Sequence, residues 1–207
     1  MSFKAFFERY SYNSVKMFVR QMALSLFGLV LALIPSKDGS SLTVITSIFA
    51  AVFYLFLIYD AAYAIGSKDS VAVSFKPNKL TGLFVSLLAN SLNLLLAVVF
   101  LVGVLFKPLE NSFAVGVTQT GGICGIIALF IQGMYTGLLT VNVAGAPLNT
   151  YWFSYFLIVI PSLLVSTLGY YFGLNNMFAL KIFRAATPED EEIKNDEKRR
   201  RREEQED

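Results

Sequence analysis

Five long apolar runs occupy most of this 207-residue chain, and they restrict what it can fold into more than any motif does. The hydrocarbon core of a bilayer is about 30 Å thick and takes roughly 20 apolar helical residues to cross. The runs at 15–34, 42–65, 80–106, 121–141 and 151–174 meet that length. Apolar residues make up 55% of the chain and charged ones 15%, a balance foreign to soluble domains. The expected fold is all-α: a polytopic helical membrane protein with about five membrane-embedded helices. They form a single membrane domain over 1–184, followed by a charged tail over 185–207.

Ahead of the first run, Phe3, Phe6, Phe7 and Tyr10 recur at helical spacing, with Lys4, Glu8 and Arg9 on the other side. That pattern predicts an N-terminal interfacial amphipathic helix over 2–14. The charged stretch is long and no Ala-x-Ala site follows Ile34, so the first run reads as a retained membrane helix rather than a cleaved signal. Between the second and third runs, Val71, Val73 and Phe75 alternate ahead of Pro77, which predicts a short extended loop.

The net charge of +2 hides a segregation. The tail holds ten of the fifteen acids and six of the seventeen bases, which leaves eleven bases against five acids in residues 1–184. A basic excess beside membrane helices suits an anionic inner leaflet. No basic stretch interleaved with aromatics is present, which argues against nucleic acid as a partner. Lys4, Arg9, Lys16 and Arg20 place the N-terminus in the cytoplasm, and the following loops alternate as the positive-inside bias requires. Five full crossings would then export the basic residues Lys181, Arg184 and the arginines at 199–202. A cytoplasmic tail needs an even number. The Gly- and Thr-rich stretch at 117–122 marks the fourth helix as the exception, so the expectation is four full spans plus a re-entrant or tilted fourth helix. The tail is a polyampholyte that cannot bury a core and reads as disordered.

Two patterns inside the spans carry chemistry. Gly121 and Gly125, Gly133 and Gly137, and Gly169 and Gly173 are GxxxG pairs, which let helices approach closely where lipid supplies no hydrophobic drive. They serve packing within the chain or assembly with a second copy or a membrane partner subunit. On the third helix Ser86, Asn90 and Asn93 share one face and should point inward, with Gln132, Ser162 and Ser166 as candidate partners. Asp60 is the one acid deep in an apolar run, a functional-site candidate by position that can also snorkel to the interface.

Catalysis finds no support. Histidine is absent and Cys124 is the only cysteine, so an internal disulfide and a His/Cys metal site are excluded. No paired-acid motif, nucleophile elbow or phosphate-cradling loop occurs, and no cofactor is implied. The reading is a non-enzymatic subunit of the plasma membrane that assembles through its glycine-rich helices. The alternative is a small solute transporter, or the substrate-binding subunit of one, with a polar path along Ser86, Asn90, Asn93 and Gln132 and Asp60 as its coupling charge.

Overall fold

The computed structural model describes residues 3–32, 40–72, 78–109 and 111–175, which are mostly helical. The elements are α1 (Phe3–Ala32), α2 (Ser40–Ser70), α3 (Thr81–Ala89), α4 (Ser91–Phe106), α5 (Ser112–Ile131), α6 (Thr136–Leu139), α7 (Ser154–Leu157) and α8 (Ile160–Leu174), with a two-residue hairpin β1 (Asn142–Val143) and β2 (Ala146–Pro147). They belong to one compact unit, Met1–Asn176. The tail at 185–207, and Val73 and Phe75 of the alternating loop, lie outside the described residues. Four stretches, Lys4–Leu31, Leu42–Ser70, Ser112–Ile131 and Ser154–Leu174, are long and apolar enough to cross a membrane; the pair α3 and α4 makes a fifth if it counts as one span.

The helices depart from the expected runs in instructive ways. No break separates an interfacial segment from the first span: α1 is one continuous helix, and Tyr10 is buried within the bundle. Similarly, α2 continues past Ile65, because Ile58, Ala62, Ile65 and Asp69 form one buried face at helical spacing.

The run at 80–106 is not one helix. It bends by 60° at Asn90, which has neither helical ψ nor a proline or glycine to account for the break. Side-chain amide and backbone N–H of Asn90 both donate to the Ser86 carbonyl, at 3.0 and 2.9 Å, so one carbonyl carries two donors at the bend.

The fourth helix starts earlier and ends earlier than 121–141. Asn111 caps it, accepting from the Ala114 N–H at 2.7 Å, and the Gly- and Thr-rich stretch at 117–122 is regular helix within α5. Irregular backbone comes after it instead, as a single turn Gly133–Tyr135, then α6 and the β-hairpin. The hairpin turns on Ala144 and Gly145, at φ 51° and 90°, the double positive φ of a tight two-residue connection. The last run is interrupted at 158–159, just ahead of Pro161, which cannot donate to the preceding turn.

Two packings organise the bundle. Helices α2 and α8 run parallel, with Gly169 against the Tyr59 carbonyl and Gly173 against that of Tyr63. Helices α4 and α5 are antiparallel, with Gly103 facing Gly121 and the Phe100 ring facing Gly125. Because α4 leaves α3 at 60°, this pair forms an arm set at an angle to the rest. The β-hairpin side is fixed by Ser47, which donates to the Met134 carbonyl at 2.6 Å, and by Ser25, which donates to that of Ile131.

Candidate functional site

At one end of the bundle, three helices close on Asp69, which is 4% exposed. Arg9 of α1 reaches one carboxylate oxygen at 2.7 Å. The phenols of Tyr10 and Tyr170 donate to the other at 2.6 and 2.8 Å. A buried carboxylate is tolerated only when paired and bonded, and here a cation and two hydroxyl donors meet that need. The start of α1, the end of α2 and the end of α8 are thereby held together at the same end.

A second polar group lies deeper, at the bend. Ser86, Asn90 and Asn93 are 0–3% exposed, and Gln132 is equally enclosed at 1%. The Asn90 amide donates to the Ser162 hydroxyl at 3.2 Å, and the Asn93 amide donates to the side-chain oxygen Oδ1 of Asn90 at 3.0 Å. Ser166 donates to the Gly82 carbonyl at 2.9 Å, one further tie between α8 and α3. Each neutral bond of this kind contributes about 1 kcal/mol net, and leaving its partner bare would cost more. The pairing of α4 on α5, Gly103 with Gly121 and Phe100 with Gly125, brings Asn93 level with Gln132 when continued toward the bend. Asn93 Oδ1 and Gln132 Nε2 are both buried without a partner, as is the Tyr135 hydroxyl. An acceptor and a donor therefore stand level with each other unmet.

Asp60 is not part of either group. It is exposed, on a groove between α1 and α2 that encloses about 330 Å³ and also carries Arg9, Lys16, Arg20 and Lys68. A second groove, of about 460 Å³, lies on the α4–α5 arm, lined by Val99, Val102, Ser112, Phe113, Gly116, Val117 and Thr120. Neither is lined by Ser86, Asn90, Asn93 or Gln132.

All six GxxxG glycines face another helical segment of the same chain. Gly121 and Gly125 meet α4, Gly133 meets Ser25 and Leu29 of α1, Gly137 meets Thr43 of α2, and Gly169 and Gly173 meet α2. The two pairs 121/125 and 133/137 do not form one row, because α5 ends between them. Gly116, by contrast, has nothing within 4 Å of where a Cβ would stand. Among the described residues, no three carboxylate or cysteine side chains come together as a metal site would require.

Sequence reasoning missed Asp69, with Arg9, Tyr10 and Tyr170. Asp69 lies four residues beyond the expected end of the second run at 65. Its signal was the face Ile58, Ala62, Ile65, which reaches position 69 at the next helical step. No family model, no curated protein and no solved structure matches this chain.

Proposed function

We propose that this protein is a non-enzymatic membrane subunit that assembles, with itself or with another membrane protein, through the α4–α5 arm. One observation carries the reading. The GxxxG glycines are occupied by the chain's own helices, whereas Ser112, Gly116 and Thr120, four residues apart on α5, stay open beside the 460 Å³ groove. Small residues at that spacing admit a second helix to close contact, the principal source of association energy in lipid. The protein sits in the plasma membrane with its N-terminus cytoplasmic. The arrangement of Tyr10, Asp69 and Tyr170 supports a cytoplasmic tail as well, since the start of α1 and the end of α8 share one end.

The second reading, a small solute transporter or the substrate-binding subunit of one, draws on the bent third span and on the unmet atoms Asn93 Oδ1, Gln132 Nε2 and Tyr135 OH. One experiment separates the two, comparing Gly116→Leu with Asn90→Leu/Asn93→Leu by mass in mild detergent and by thermal unfolding. For the assembly reading, wild type runs as a complex and Gly116→Leu as a folded single chain. The asparagine variant loses stability, by about 1–3 kcal/mol for each buried group left unpaired. A wild type that runs as a single chain, with no cross-linking through Thr120→Cys in native membranes, rejects assembly. An asparagine variant as stable as wild type moves those residues from packing to a solute path.

A further inference from the structure

We propose that the groove between α1 and α2 binds a phosphate-bearing anion, either the headgroup of an anionic phospholipid or a soluble phosphate ester. Its wall carries four cations, Arg9, Lys16, Arg20 and Lys68, against two acids, Asp60 and Asp69. Asp69 and Arg9 neutralise each other at 2.7 Å. Lys16, Arg20 and Lys68 then face a single carboxylate, that of Asp60.

Geometry concentrates these groups. Asn13, Lys16, Met17 and Arg20 recur at i, i+3, i+4 and i+7, so an amide, an ammonium and a guanidinium share one face of α1. Across from them α2 offers Ala61 and Ala64, whose small side chains leave the 330 Å³ open.

Arg20 points most directly to an anion. Its Nη1 is buried and has no hydrogen-bond partner, although Asp60 lines the same groove. A guanidinium N–H removed from water is costly until an acceptor meets it. The planar fork of Arg matches two oxygens of one phosphate, and neighbouring lysines add charge without demanding geometry. Arg20 stands about 16 Å along the helix axis from Arg9, so the groove runs from the charged end of the bundle toward its apolar middle. A headgroup phosphate with its acyl chains leading into lipid has that shape, and basic pockets between membrane helices are known to take such groups.

The test uses the full chain purified in neutral detergent, mixed separately with phosphatidylglycerol, phosphatidylcholine and glycerol phosphate, and read by native mass spectrometry. Phosphatidylglycerol should stay bound and phosphatidylcholine should not. Lys16→Gln/Arg20→Gln should weaken retention about tenfold or more, while Lys107→Gln, away from the groove, should leave it unchanged. Retention of glycerol phosphate in place of the lipid, with the same loss in the double variant, supports the site and assigns it to a soluble ester. Equal retention of phosphatidylcholine, or a double variant that binds like wild type, overturns the proposal. Should the double variant fail to fold, Arg20→Lys keeps the charge and removes the fork. It should weaken retention several-fold, and unchanged retention overturns the proposal equally.

Discussion

Removing the Asp69 carboxylate leaves the phenols of Tyr10 and Tyr170 with no acceptor there and takes the carboxylate from Arg9. Asp69→Ala should therefore cost about 2–5 kcal/mol, against no more than about 0.5 kcal/mol for Asp60→Asn at its exposed position. Thermal unfolding of the two variants in the same detergent checks this. Equal midpoints would mean that Asp69 is dispensable. The comparison inverts the ranking that hydropathy suggests. Asp60 lies within an apolar run and Asp69 beside a lysine and two serines, yet the buried one is Asp69. Depth in a run records the length of the surrounding apolar stretch. Burial depends on which face of the helix a residue occupies, and that is set by partners on α1 and α8.

At the level of elements, glycines within apolar helices do different work. A Cβ at Gly173 would collide with the Tyr63 carbonyl, whereas at Gly122 it would meet nothing within 4 Å. Gly173→Ala should destabilise by about 1–3 kcal/mol, and Gly122→Ala, in an open helical position, should stabilise by up to about 1 kcal/mol. Chemical unfolding of both variants decides the point, and similar signs would contradict the packing of α8 on α2. The existence of the helices was legible because run length and apolarity are local properties. The start of α5 was legible too, in the cap residue Asn111, ten residues ahead of the expected start at 121. The bend at Asn90 was not. The poor helix formers between Leu80 and Phe106 are Gly82 and Gly103, near the two ends and away from the bend; the bend coincides instead with a side-chain amide that bonds back to Ser86 and across to Ser162. The inward face of Ser86, Asn90 and Asn93 followed from spacing, while their separation from Asp60 required the tertiary fold.

For the whole molecule, the parallel course of α2 and α8 bears on how the chain threads the bilayer. If the Asp69 end is cytoplasmic, the β-hairpin lies outside and the α4–α5 arm adds no net crossing. With Cys124→Ser as background, single cysteines at Lys68, Ala144 and Gln205 test this in intact cells. Ala144→Cys should react with an impermeant thiol reagent, and the other two should not. Reaction at Gln205 with protection at Ala144 would instead require five complete crossings.

The contacts of Asp69 also have an order in time. Arg9, Tyr10 and Asp69 are synthesised long before Tyr170, which follows Asp69 by 101 positions. Until α8 arrives, the carboxylate lacks one of its two phenols, and Ser86 and Asn90 have no Ser162 to meet. An unfinished chain therefore presents polar groups to lipid that the finished one conceals. Completion of α8 is then the step that withdraws these groups from the proteases and chaperones of the membrane.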